Sequence, residues 1–173
     1  GSFAQERIDE YDLSALSFQA KHKTYRMQGY HLTHINGYAL QDQARYAVIW
    51  EKKSGSNQVV KPALSTAAYS KEAIANGKNG YRLTTLDGYV VGNQTKYAAI
   101  WEKRRGNPQI VKHALSHQAF QQERNQRSKG YRIQSISGFS VGGQAKYAVI
   151  WEQIERPKQQ IVRYGLSAQA FQQ

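Results

Sequence analysis

The stretch Gly130–Glu152, GYRIQSISGFSVGGQAKYAVIWE, has two counterparts in the same chain, at Gly29–Glu51 and Gly80–Glu102. Each copy opens Gly-Tyr and reaches a second glycine followed by an aromatic (Gly37-Tyr38, Gly88-Tyr89, Gly138-Phe139). Each then passes a polar turn holding a glutamine and ends Tyr-Ala-x-Ile-Trp-Glu. The period extends beyond these copies. Leu13-Ser14, Leu64-Ser65, Leu115-Ser116 and Leu166-Ser167 recur at a spacing of 51, each followed by a ring at Phe18, Tyr69, Phe120 or Phe171. A fixed period of this size marks a repeat protein, in which neighbouring units bury faces that no unit can bury alone.

Each Leu-Ser predicts a helix start, because a serine hydroxyl at that place accepts a backbone N–H that the first helical turn leaves free. Leu64, Ala68, Tyr69 and Ala73 then share one helical face. Gly29, Gly80 and Gly130 close the helices. A first strand is predicted over 30–40, 81–91 and 131–141. Leu83 and Leu86 differ in parity, which implies a bulge or bend, and Gly88 is the nearest place for one. A tight polar turn leads to a second strand over 45–52, 96–103 and 146–153. Both faces of that strand are mostly apolar, so it should be central. After a variable loop comes a short third strand at 58–61, 109–112 and 160–163.

The fold class read from this pattern is α+β. It comprises three tandem α-β-β-β repeats of about 51 residues, with antiparallel hairpins and one helix per repeat, in an open array or a pseudo-threefold assembly. Residues 1–12 read as a flexible acidic lead-in. The repeats span 13–63, 64–114 and 115–165, residues 166–173 begin a fourth helix, and the whole forms one structural domain.

Composition narrows the function classes. The chain has no cysteine, which excludes a disulfide framework and thiolate metal sites. No apolar run approaches the roughly 20 residues needed to span a bilayer, so membrane insertion is not expected. The net charge is +12. It is spread evenly: each 51-residue repeat carries a net +5, against −3 for residues 1–12. A basic face repeated in this way suits a polyanion, as opposed to a single basic tail.

Catalytic chemistry finds no purchase. The five histidines (His22, His31, His34, His113, His117) do not recur across the copies. One Gly-x-Ser-x-Gly is present, Gly138-Phe139-Ser140-Val141-Gly142, but it lies between two predicted strands and not at the strand-to-helix turn that exposes such a serine, and no Ser-x-x-Lys is present. The reading is therefore non-enzymatic, without cofactor or metal. Glu51, Glu102 and Glu152 follow tryptophan in each copy and need a partner on an apolar face. A cross-strand or inter-repeat ion pair is expected for them.

Two binding readings remain. The first is a multivalent, lectin-like module with one shallow site per repeat for a glycan or protein surface. Its groups are Tyr38, Tyr89 and Phe139 beside the second glycine, Gln43, Gln94 and Gln144 at the turn, and Asn57 and Asn107 in the loop. Aromatic faces beside amides suit a sugar ring. The second is a salt-sensitive polyanion binder for a sulfated glycan or nucleic acid. It uses Arg45, Arg82, Lys96, Arg132 and Lys146, with Lys61, Lys112 and Arg163 beside them.

The runs Gly-Tyr-Arg, Ser-Gly-Phe-Ser-Val-Gly-Gly-Gln and Lys-Tyr-Ala-x-Ile-Trp-Glu, joined to the Leu-Ser-x-x-x-Phe helix, resemble the bacterial tandem repeats of polyglycine hydrolase-like proteins. In that family the repeats precede a serine-hydrolase domain similar to β-lactamases, whose nucleophile lies in Ser-x-x-Lys. No serine here has lysine three residues on. The resemblance thus implies an accessory substrate-recognition module of a secreted hydrolase, and an extracellular location, and does not itself imply an activity.

Overall fold

Three serines set the frame. Ser14, Ser65 and Ser116 hold extended backbone, and each accepts the N–H three residues on at 3.1 Å. That bond satisfies one of the donors a helix start leaves free. The computed structural model describes residues 6–154. It places α1 (Ala15–Met27), α2 (Thr66–Lys78) and α3 (His117–Gln126) directly after these serines.

The strands are β1 (Arg7–Leu13), β2 (Tyr30–Leu40), β3 (Gln43–Lys52), β4 (Gln58–Leu64), β5 (Tyr81–Val91), β6 (Gln94–Lys103), β7 (Gln109–Leu115), β8 (Tyr131–Val141) and β9 (Gln144–Gln153). They form three antiparallel sheets ordered β1-β3-β2, β4-β6-β5 and β7-β9-β8. The elements are those expected, one helix and one hairpin per repeat, but their phase differs. β4, the third strand of the first predicted repeat, completes the sheet of the second, and β7 completes the sheet of the third. Each folded unit is therefore β-α-β-β.

The same shift corrects the reading of the N-terminal segment. Residues 7–12 belong to β1, which pairs with β3 from Arg7 opposite Glu51 to Leu13 opposite Tyr46. Without β1, one edge of β3 would carry unpaired backbone donors and acceptors. Ile8 and Leu13 supply its inward apolar positions, and the acidic residues between them mask the pattern. The predicted strand at 160–163 and helix start at 166–173 lie outside the described residues.

β3, β6 and β9 are central, as their two apolar faces require. Tyr46, Val48 and Trp50 lie under α1 with Phe18, Leu32 and Ile35, and Tyr89, Ala98 and Ile100 of the second sheet close this cluster from the other side. The next cluster repeats the plan, with Tyr69, Leu83, Leu86, Tyr97 and Trp101 capped by Ala148 and Ile150 of the third sheet. The core lies at the seams between units. Fully burying each large apolar side chain there is worth about 1.5–3 kcal/mol.

The bulge exists, but not at the glycine. Register slips between Leu32 and His34, Leu83 and Thr85, and Ile133 and Ser135. In the first two units the extra residue is Thr33 or Thr84, whose hydroxyl donates to the carbonyl of Ile49 or Ile100 at 3.2 and 3.1 Å. The slip returns Leu83 and Leu86 to one buried face.

The glycine has a different task. A Cβ on Gly37 would sit 2.5 Å from the ring of Tyr89, and one on Gly88 would overlap the ring of Phe139. In the first two units the second glycine is thus the slot for the next unit's aromatic. At Gly138 a Cβ would meet only its own unit's Tyr147, at 3.5 Å. Gly37→Ala and Gly88→Ala should therefore each lower stability by about 1–3 kcal/mol through overpacking, while Gly138→Ala stays within about 0.5 kcal/mol of the parent. Urea denaturation of the three variants checks this. Equal losses at all three would mean that the glycines serve their own backbone and not the neighbouring ring.

Candidate functional site

The aromatic members of the predicted shallow sites are occupied by packing. Tyr89 is only 3% exposed and stands edge-on to Tyr46 at 5.9 Å. Its hydroxyl donates to the Pro62 carbonyl at 2.8 Å and lies 2.6 Å from the Tyr46 hydroxyl. Phe139 packs edge-on against Tyr97 at 6.0 Å. Neither ring is the open surface group expected: Tyr89 is buried and Phe139 half-buried in a seam between units. Each fills the seam to the preceding unit, because the glycine beside its neighbour's strand makes room for it. Tyr38, in the first unit, is half-buried and meets no other ring among the described residues.

The polar members lie apart. Gln43, Gln94 and Gln144 are exposed at the hairpin tips. Asn57 and Asn107 sit in the loops after β3 and β6. That is the far end of a ten-residue strand, about 30 Å from the tip at β rise. Asn57 is exposed. Asn107 is engaged: its amide donates to the Gln153 carbonyl at 3.0 Å, and its own carbonyl accepts from Arg82 at 2.9 Å. The turn glutamines and the loop asparagines therefore form no common site.

The basic residues divide into two groups. Arg82 reaches Glu152 of the third unit at 3.6 Å, and Arg132 reaches the same carboxylate across its own sheet at 3.2 Å. The inter-repeat and cross-strand pairing expected for the Trp-Glu carboxylates is thus realised at Glu152. Glu102 instead takes Arg104 at 3.2 Å and the Gln58 amide at 3.3 Å. Lys61 and Lys112 face Glu72 and Glu123. The hairpin row differs. Arg45, Lys96 and Lys146 occupy one register position, opposite Tyr38, Tyr89 and Phe139. Arg45 meets Asp12 at 3.4 Å and Gln43 at 3.2 Å. Lys96 and Lys146 have no carboxylate partner among the described residues. Also among these residues, no group of three or more His, Asp or Glu side chains is placed to hold a metal, and no helix is long and apolar enough to cross a membrane.

Sequence reading passed over one set of contacts, those between each helix and its tryptophan. In the first unit the Trp50 indole N–H donates to His22 Nδ1 at 3.1 Å. The imidazole stacks on Phe18 at 5.5 Å, and Tyr25 meets the indole edge-on at 4.8 Å. In the third, the Arg127 guanidinium lies 5.6 Å from the Trp151 ring and is held by Glu123 at 2.8 Å. The signal available was the divergence of the helices at 22, 73 and 124 and at 25, 76 and 127, set against three unchanging tryptophans.

A family model described as the polyglycine hydrolase-like structural repeat matches the chain three times, over residues 10–53, 63–104 and 106–154. The chain belongs to this family. Each match takes in one helix and the hairpin after it. No curated protein matches the chain.

His22 gives this packing a pH signature. Burial pushes its imidazole down to about 4, with the nearby Arg26 charge acting the same way. The unfolded chain takes up this proton near 6.5, so between about pH 6.5 and 4 the unfolded state binds more protons and stability falls as pH falls. The thermal midpoint should drop across that window. His22→Gln, which keeps an acceptor for Trp50 but does not titrate, should flatten the drop. A slope unchanged in that variant would place the effect elsewhere, for example at His113, whose value burial also lowers.

Proposed function

We propose that this repeat array is a non-enzymatic, multivalent recognition module that takes an extended anionic glycan across its hairpin tips. The observation that carries this reading is the tip row itself. Gln43 with Arg45, Gln94 with Lys96 and Gln144 with Lys146 put one amide and one cation at the same place in successive units. Among the described residues no carboxylate meets Lys96 or Lys146, while most other cations considered above are spent on ion pairs. A row of weak, like sites gains affinity when one polymer spans them. The neutral-sugar reading has less support, since its stacking rings at Tyr89 and Phe139 are already packed. Membership in a hydrolase-like repeat family supports an accessory role, in which the array would hold a polymer near a catalytic domain in a secreted protein.

The test is retention on heparin and on a polyuronate over a salt series. The parent should elute late, with affinity falling steeply as salt rises. In Lys96→Gln/Lys146→Gln the salt slope should fall by about two, one for each contact removed. A slope unchanged in the double variant would overturn the tip row as the binding surface. Retention on a neutral polysaccharide that ignores salt would favour the lectin-like reading instead.

A further inference from the structure

The three units treat their tryptophans differently, and the middle one leaves a gap. At the repeat spacing, Ala73 stands where the first unit has His22, Gly77 where it has Arg26, and Asn76 where it has Tyr25. In the first unit His22 accepts the indole N–H of Trp50, and Arg26 crosses to the Tyr30 carbonyl at 3.1 Å. In the middle unit both side chains are missing. A groove of about 630 Å³ opens between α2 and the third unit's edge strand β7, with Trp101, Ala73, Gly77, Arg82 and His113 among its lining. A Cβ on Gly77 would meet nothing within 4 Å. Asn76 does not fill the gap, as its amide turns to Glu72 at 3.3 Å.

The floor of this groove holds an unused donor. Trp101 is 2% exposed and is covered on one face by Tyr69, stacked at 6.0 Å. Among the described residues no acceptor takes its indole N–H. The indole nitrogen is not sealed from solvent, so it is open to an acceptor that enters the groove. The first unit shows which chemistry satisfies the same donor in the same frame: a flat ring with an acceptor nitrogen in its plane, lying 24° from parallel to the indole. That ring is held uncharged by burial. The wall of the middle groove also selects against a cation. Arg82 is fixed there by the Asn107 carbonyl and Glu152, and the loop at Gly106 runs flat over its guanidinium, leaving no room for a Cβ.

We propose that the groove of the middle unit is a binding site for a small, uncharged nitrogen heteroaromatic ring, which takes the place that His22 fills in the first unit and accepts the Trp101 indole N–H. The volume admits a ring system larger than an imidazole, so the one-ring azoles and the fused purines are the two ligand sizes to separate. This site shares no residue with the hairpin row and does not depend on it.

The ¹⁵N-labelled 173-residue chain is titrated with imidazole, and separately with a purine, at about pH 8.5, where an imidazole is neutral. The three indole N–H signals are assigned through Trp50→Phe and Trp101→Phe. The Trp101 signal should move and saturate while those of Trp50 and Trp151 stay in place. Ala73→His, which installs the first unit's own ring, should weaken the response at least tenfold. Gly77→Leu should do the same by filling open space, and it keeps the test intact if the histidine variant folds poorly. No saturable shift with either probe would overturn the proposal. So would a common drift of all three indoles, or a response that survives both variants. The tighter of the two probes fixes the ring size.

Discussion

The contact on which this structure depends is a ring seated on a missing side chain. Tyr89 lies over Gly37 and Phe139 over Gly88, each closer than a Cβ would allow. A sheet cannot lay an aromatic flat on its neighbour's backbone unless that backbone is bare, and glycine alone is bare. Glycine in a strand normally weakens it. Here the weakness is offset by the ring, which brings its own buried area and an edge-on contact to Tyr46 or Tyr97. The interaction is directional along the chain, with the glycine always in the earlier unit and the ring in the later.

Around that contact the polar wiring is equally directional. Asp87 accepts the Gly37 N–H at 2.7 Å and the Asn36 amide at 3.3 Å from the first unit, and the Ser137 hydroxyl at 3.2 Å from the third. Burial raises its proton affinity, and these three bonds oppose the shift. One carboxylate therefore ties all three units. Each sheet is otherwise local, with its edge strand directly before its own helix, so the ties between units are the ring, its slot and these polar bonds. A middle unit lifted out would leave its ring without a slot and its slot without a ring. That is the nearest-neighbour cooperativity expected of repeat proteins.

The sequence announced what repeats locally and concealed what repeats between units. Helix starts at Ser14, Ser65 and Ser116, the hairpins and the central Tyr-x-x-x-Trp strand follow from capping, turn and parity rules that act within a few residues. The role of Gly88 did not follow, since its constraint is a ring fifty-one residues downstream. For the same reason Tyr89 looked like a surface group beside a bend, when it is the lock of a seam. β1 was hidden by Asp9, Glu10 and Asp12, which mask two inward apolar positions. The charge count was right, but the count does not tell Arg82, bound to Glu152, from Lys96, which meets no carboxylate among the described residues.

The two ends of the array show the same logic from outside. Val60 and Val111 pair with Ile100 and Ile150, but at the first sheet the corresponding partner of Ile49 is Asp9, exposed to solvent. That substitution gives the first unit a polar outer face, as a terminal repeat needs for solubility. The third unit shows no such device among the described residues. Ile133 and Ile136 are 37% and 50% exposed, whereas their counterparts Leu83 and Leu86 are buried at 4% and 1%. Gly138 carries no neighbour's ring among the described residues. This face keeps the bare glycine and the apolar pair of an internal seam. Its polar wiring differs, since Ser137 stands before its glycine where the middle unit has Asp87 and the first has Asn36.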